Sequence, residues 1–253
     1  MIHRAAAEGF ARSADAYERG RPRYPDEALA LFLARLRSGA TGQRGPGGPG
    51  AHSVLDLAAG TGVLTRPLLD AGLAVIAVEP VAEMRAALPS SARALDGTAE
   101  AIPLGSGEVD AVVVGQAFHW FDGDAALAEI HRVLRPDGLL ALFWNRRVED
   151  DPVNRAIDRL VDPYRADVPT HRSEAWRGAF DRTSLFVQLS QHDVPNEQRL
   201  DAGGMEARVG SISFIAALDA PERKRVLERA RAIAGEGTVT VPHRTELLMW
   251  RRS

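Results

Sequence analysis

Residues 53–80, SVLDLAAGTGVLTRPLLDAGLAVIAVEP, hold an apolar run, a turn of small residues, a helical stretch and a second apolar run. Short apolar runs rich in Val, Ile and Leu and bounded by turn residues read as buried strands. The first run passes through Asp56 and Leu57 into Ala58-Ala59-Gly60-Thr61-Gly62. Gly60 and Gly62 permit positive φ and carry no Cβ, so a ligand can lie against the backbone there. The dinucleotide fingerprint G-x-G-x-x-G, aligned on Gly60, reads Ala58, Gly60, Val63 and lacks its first and third glycines, which disfavours a bound pyrophosphate. The second run ends in Glu79, nineteen residues beyond Gly60. An acid at the carboxyl end of that strand can accept hydrogen bonds from both hydroxyls of a ribose.

Working outward, the same alternation continues. VDAVVVGQA reads as a strand, Asp124 to Leu134 as a helix and GLLALFW as a strand. Strands alternating with helices predict parallel βαβ units. Because the runs are apolar throughout rather than alternating, both faces of the sheet should be covered, which gives a doubly wound α/β sandwich of three layers. Upstream, YPDEALALFLARLRS (Tyr24 to Ser38) is amphipathic, with Leu29, Phe32, Leu33 and Leu36 on one face. Residues 39–52, GATGQRGPGGPGAH, hold no apolar anchor and read as a connector. Residues 151–200 read as helices and loops beside the sheet. PERKRVLERARAIAG predicts a helix that starts on Pro221 and stops at Gly235, and Thr238 to Trp250 predicts a closing strand interrupted at Pro242.

Composition excludes several chemistries. The 253 residues include no Cys, so a thiol nucleophile, a thiolate metal site and a disulfide are all out. A formal net charge of -3 provides no global drive toward nucleic acid or an anionic membrane. Of the 31 basic residues only Lys224 is lysine, a bias of composition rather than a signal of anion binding. No G-x-x-x-x-G-K-[ST], H-E-x-x-H or G-x-S-x-G occurs, so neither a phosphate-binding loop, a zinc helix nor a serine elbow is present, and no metal is expected. The first residues lack the apolar core of a secretory signal and no apolar run reaches spanning length, so the expectation is a cytoplasmic protein without a membrane contact.

DLAAGTG resembles the first motif of class I S-adenosylmethionine-dependent methyltransferases, with Ala58 in place of the usual first Gly, and VEPVAEM resembles their second-strand acid and the apolar residue after it. GTAEAIPL, VDAVVVGQAFHWFD and LRPDGLLALFW resemble the later motifs in order. FARSADAYERGRPRYP and PHRTELLMWRR are similar to a small-molecule subgroup like the trans-aconitate methyltransferases. The resemblance implies a Rossmann-like, doubly wound, seven-stranded sheet, mostly parallel with the last strand antiparallel, and a helical insertion. Its divisions would be a cap segment and helix at 1–38, the connector at 39–52, a cofactor-binding core at 53–145, a substrate-side helical insertion at 146–204 and a completion of the sheet at 205–253.

Carried onto this chain, the resemblance implies that S-adenosylmethionine, with S-adenosylhomocysteine as product, has its methionine moiety lined by Asp56, Ala58 and Gly60 and its ribose held by Glu79, next to Pro80. Met84 would lie over the adenine, and Thr98, Ala99 and Glu100 would border it. Gln116, Ala117 and Phe118 would sit under the sulfonium, and Tyr17 and Arg21 would close over the cofactor from the N-terminal segment, a guanidinium being suited to its α-carboxylate. His119 is the candidate base for a hydroxyl or amine nucleophile, beside Trp120. For an anionic acceptor, Arg146 and His243 with Arg244 are the candidate cations. The function expected is methyl transfer to the O, N or carboxyl group of a small molecule. The alternative from another class is a protein that binds the cofactor without transferring methyl, either a regulatory module or a cofactor-assisted cyclase. A nucleic-acid acceptor is disfavoured by the absence of a basic stripe and by GQAFHW standing where base amino methyltransferases carry N/D-P-P-[YFW].

Overall fold

The structure, a computed structural model, describes residues 19–39, 51–165 and 174–253. Seven strands form one sheet: β1 (Ser53–Leu57), β2 (Ala74–Val78), β3 (Arg93–Leu95), β4 (Val109–Gly115), β5 (Leu134–Arg147), β6 (Phe186–Leu200) and β7 (Val239–Arg252), in the order β3-β2-β1-β4-β5-β7-β6. β1 lies parallel to β2 and β4, β2 to β3, and β4 to β5. β7 runs antiparallel between β5 and β6, so it alone is reversed. This is the mixed, doubly wound sheet the sequence predicts.

The side-chain period of two explains why the central runs are apolar at every position. Leu55, Leu57, Val112, Val114, Leu140, Leu142 and Trp144 pack into one core, while Val54, Ala111, Val113, Leu139, Ala141 and Phe143 pack into the other. The first core is covered by α4 (Gly123–Val133), through Ala126, Leu127, Ile130 and Val133, and by α6 (Arg177–Arg182), through Ala179. The second is covered by α1 (Asp26–Gly39), through Ala28, Phe32 and Leu36, and by α2 (Thr65–Asp70), through Leu68. α3 (Ala82–Ala86) follows β2 and buries Met84.

A third apolar cluster stands beside the sheet. It joins α5 (Pro152–Val161), α7 (Ala202–Gly210), α8 (Ser213–Ala216) and α9 (Ala220–Ala234) around Ile157, Met205, Val209, Val226 and Ala230. Aspartates start three of these helices, α5, α7 and α9. Asp151 accepts the amide hydrogen bonds of Val153 and Asn154, Asp201 that of Gly204 and Asp219 that of Glu222. Gly235, at φ 63°, ends α9 where the sequence places the stop.

Three expectations are corrected. Residues 186–200, read from sequence as helices and loops, form the longest strand, β6. It is an edge strand whose side chains are mostly exposed or half-buried, so it carries little apolar periodicity and is held by its pairing with β7. The 205–253 division contributes only Val239–Arg252 to the sheet; its first part belongs to the third cluster. Pro242 does not break β7, because β5 pairs only as far as His243 and β6 is the one strand beside Pro242, whose carbonyl accepts from the Val148 amide and the Asn154 side chain. Residues 40–50 of the predicted connector lie outside the described residues. Among the described residues no helix is long and apolar enough to cross a membrane.

Candidate active site

The carboxyl ends of β1, β2, β4 and β5 meet at one edge of the sheet, the position where open α/β sheets bind ligands. The chain leaves β1 through Ala58 (φ 57°), Gly60 (φ 58°) and Gly62 (φ 90°), and leaves β4 through Gln116 (φ 58°). A Cβ on Gly62 would approach Leu88 Cδ2 and Pro89 Cδ to 3.1 Å, so both the angle and the space call for glycine there.

Glu79, at the end of β2, is buried and fixes this turn. Its Oε2 accepts the Gly60 amide hydrogen bond at 2.8 Å and its Oε1 that of Val81 at 2.9 Å. Burial raises its pKa, against the lowering influence of those two amides and of the Arg85 guanidinium. A carboxylate has about four acceptor positions, so each oxygen retains capacity for a further donor. Asp56 is also buried. Its Oδ2 accepts from the Thr65 hydroxyl at 2.6 Å, and burial pushes its pKa up to about 7, with the Thr65 bond opposing and the Glu79 charge adding to the rise.

Two cavities open at this edge and share Ala58, Gly115, Gln116 and Trp120. The smaller, about 90 Å³, is lined on its far side by Glu79, Pro80, Met84, Thr98, Ala99 and Glu100, and it also meets Gly60 and Ala117. The larger, about 610 Å³, meets Arg21, Asp56, His119 and Arg146. His119 stands on the 3-10 turn Phe118–Trp120, with its ring 4.7 Å from that of Trp120 and 5.4 Å from that of Trp144. Gln116 donates to the Asn145 carbonyl at 2.9 Å.

The wall opposite the sheet edge is the segment before α1, latched by side chains from β5 and β6 and by its own Arg21. Gln198 donates to the Gly20 carbonyl (3.1 Å), Asn145 to that of Pro22 (3.0 Å) and Asn196 to that of Arg23 (2.8 Å), while Arg21 reaches the Ser211 carbonyl (2.9 Å). Arg21, Pro22 and Tyr24 thereby face the larger cavity.

Two of the residues singled out from sequence line neither cavity. Phe118 lines neither cavity: its ring is buried among Phe121, Trp176 and Phe180, because the 3-10 turn directs it into the core beneath the sheet. His243 is likewise buried. Its Nδ1–H donates to the Val241 carbonyl at 2.9 Å, and burial together with the neighbouring Arg208 and Arg147 charges pushes its pKa down to about 3, so it stands neutral and away from the cavity. Tyr17 lies outside the described residues. Conversely, the structure adds Tyr24, Asn145, Arg147 and Arg208 to the cavity wall. Asn145, the first polar residue after LLALFW at the sheet's carboxyl edge, was accessible to sequence reasoning. Arg208 gave no signal, because its position depends on how the third cluster packs.

Comparison with known proteins agrees with this geometry. Residues 55–142 match the family model described as "Methyltransferase domain". An uncharacterized methyltransferase of Mycobacterium tuberculosis is 37% identical over 254 residues, covering 93% of this chain and 92% of that protein. A malonyl-[acyl-carrier protein] O-methyltransferase of Pseudescherichia vulneris is 31% identical over 142 residues, 54% of this chain and 52% of its own length. Among solved structures, one from Anaeromyxobacter dehalogenans, assigned as a type II methyltransferase, superposes with a TM-score of 0.59 at 26% identity over 91% of this chain and 96% of that one.

Proposed function

Since the chain belongs to the methyltransferase family, we propose that it moves the methyl group of S-adenosylmethionine to a small-molecule acceptor, with the nucleoside in the smaller cavity and the acceptor in the larger. The observation that carries this reading is the pair of cavities joined at Ala58, Gly115, Gln116 and Trp120, with the Glu79 carboxylate on the wall of one and polar space in the other. The residues present fit the cofactor. Glu79 retains acceptor capacity for two ribose hydroxyls, Met84 presents a polarizable thioether to a flat base, and Thr98, Ala99 and Glu100 border the same space. Arg21 and Asp56 face the larger cavity, where they can meet a carboxylate and an ammonium respectively.

When bound, S-adenosylmethionine supplies a methyl group on a positively charged sulfur that a nucleophile can attack. The chain's own part is to position and to exclude water. Gln116, fixed by its bond to Asn145, forms the wall between the two cavities. The latched segment from Gly20 to Tyr24 covers the larger one. His119, oriented by Trp120 and Trp144, is placed to accept the proton of a hydroxyl or amine acceptor. The O-methylating relative from Pseudescherichia vulneris supports oxygen as one acceptor atom.

Calorimetric titration with S-adenosylmethionine and S-adenosylhomocysteine tests the reading. Glu79→Ala should weaken both by about 1.5–3 kcal/mol, the worth of hydrogen bonds to a charged acceptor, and Glu79→Gln should fall between that variant and the wild type. Unchanged affinity in Glu79→Ala would remove the ribose assignment, and absence of binding to the folded wild type would remove the whole reading.

A further inference from the structure

The wall of the larger cavity is cationic. Among the described residues it carries six arginines (Arg21, Arg146, Arg147, Arg165, Arg208 and Arg244) against four acids (Asp56, Glu149, Glu174 and Asp193). Two of the arginines stand in an unusual relation. Arg146 on β5 and Arg244 on β7 are direct partners in the antiparallel register, so their side chains leave the same face of the sheet side by side. Like charges in that position destabilise a sheet, and a polar alternative costs nothing in the fold at residues this exposed, 39% for Arg146 and 45% for Arg244.

The acids nearby do not satisfy both. Asp193 on β6 belongs to Arg244, whose Nε donates to Oδ2 at 2.8 Å and whose second terminal nitrogen donates to the Asp193 carbonyl at 2.9 Å. Glu246 is buried beneath the pair and accepts from Gln191 at 2.7 Å and from Arg177 at 3.1 Å. Arg146 is left at ion-pair distance only, 3.3 Å from Asp193 and 3.8 Å from Glu246, and its guanidinium makes no hydrogen bond to a described residue. Its Nε is shielded from solvent and has no acceptor. A guanidinium held in place by two carboxylates, with its planar set of donors unspent and turned toward a cavity, has the chemistry of an oxyanion receptor.

We propose that the acceptor of this methyltransferase is an organic anion, and that Arg146, flanked by Arg244, binds its carboxylate or phosphate group. This rests on the placement of the acceptor in the larger cavity. Asp193 acts as a positioning residue, holding Arg244 beside Arg146 across the strands, and Glu246 keeps the Arg146 stem in register from below.

The test is calorimetry on the protein saturated with S-adenosylhomocysteine, titrated with malonate, succinate, citrate and glycerol phosphate and, in parallel, with succinamide as an uncharged counterpart. At least one oxyanion should bind where succinamide does not, and the carboxylate and phosphate arms identify which group the site takes. Arg146→Gln should weaken that binding about tenfold or more, Arg146→Lys less, and added salt should weaken it further, while the affinity for S-adenosylhomocysteine stays at the wild-type value. The same anion titrations run without S-adenosylhomocysteine read the receptor by itself, so a failed cofactor assignment and a failed anion assignment give different patterns. Failure of every oxyanion to bind, or equal binding by Arg146→Gln, overturns the proposal.

Discussion

Ala58 and Gln116 both adopt φ near +60° without being glycine, and both stand where the two cavities join. A left-handed conformation costs an ordinary residue roughly 1–2 kcal/mol, so the surrounding hydrogen bonds must hold these positions in place. For Ala58 the retaining contacts are the Ala59 amide on the Val78 carbonyl and the Gly60 amide on Glu79; for Gln116 they are its own amide on Phe143 and its side chain on Asn145. The resulting rigidity places His119 three residues on, its ring tilted against those of Trp120 and Trp144 at the edge of the larger cavity. If His119 accepts a proton, His119→Ala should lower kcat for a hydroxyl or amine acceptor by about 10²–10⁴-fold and leave cofactor affinity unchanged. Steady-state kinetics with S-adenosylhomocysteine release as readout decide this, and unaltered kcat would reduce the ring to a piece of cavity wall.

At the scale of elements, the cavity depends on the short segment that leads into α1. Gly20 lies so close to α7 that a Cβ would fall 2.2 Å from the Ala207 carbonyl oxygen. Gly20→Ala must therefore push the segment off α7, at an overpacking cost of about 1–3 kcal/mol, and loosen the latches to Gln198, Asn145 and Asn196. Hydrogen exchange should accelerate at residues 20–24 while β1 and β4 keep their protection; equal exchange in that segment would show that the latches do not depend on the approach. This part of the site was not legible in the sequence, since the partners of Gly20, Pro22 and Arg23 lie more than a hundred residues away. The core strands were legible, because a residue buried on either face of a covered sheet is usually apolar and β1, β2, β4 and residues 139–144 of β5 obey that at most positions. β6 was not, because an edge strand with exposed polar faces leaves no such record. The same logic divides the site. Glu79 and the Gly60 turn are encoded within one βαβ unit, whereas the facing pair Arg146 and Arg244 exists only through the register of β5 on β7. His243 misled because its neighbours in sequence suggest a strand end at the cavity, while its side chain takes the opposite face from Arg244 and is buried.

For the molecule as a whole, two buried groups set opposing pH slopes. Asp56 has its pKa raised from 3.8 to about 7, so between those values the folded chain binds a proton that the unfolded chain has released, and stability falls as pH rises through the window. Glu79, raised by burial as well, acts in the same direction. His243 has its pKa lowered from 6.5 to about 3, so between those values the unfolded chain binds a proton that the folded chain refuses, and stability falls as pH drops through that window. Each slope approaches about 1.4 kcal/mol per pH unit, and over the shared interval from about pH 4 to about pH 6.5 they oppose one another. The wild type should therefore lose stability on acidification below about pH 4, where His243 acts unopposed, and as pH rises from about 6.5 to about 7, where Asp56 acts unopposed, with a weaker dependence between. Asn at position 56 retains an acceptor for the Thr65 hydroxyl but cannot ionise, so Asp56→Asn should expose the histidine slope, with the variant gaining stability relative to the wild type as pH rises from about 4 to about 7. His243→Gln should expose the opposite slope, gaining relative to the wild type on acidification over the same range. Urea midpoints measured across pH for the three proteins separate the contributions. Parallel profiles for Asp56→Asn and wild type would mean that Asp56 ionises in the folded protein as readily as in water, and the carboxylate would then face the acceptor cavity charged at every working pH.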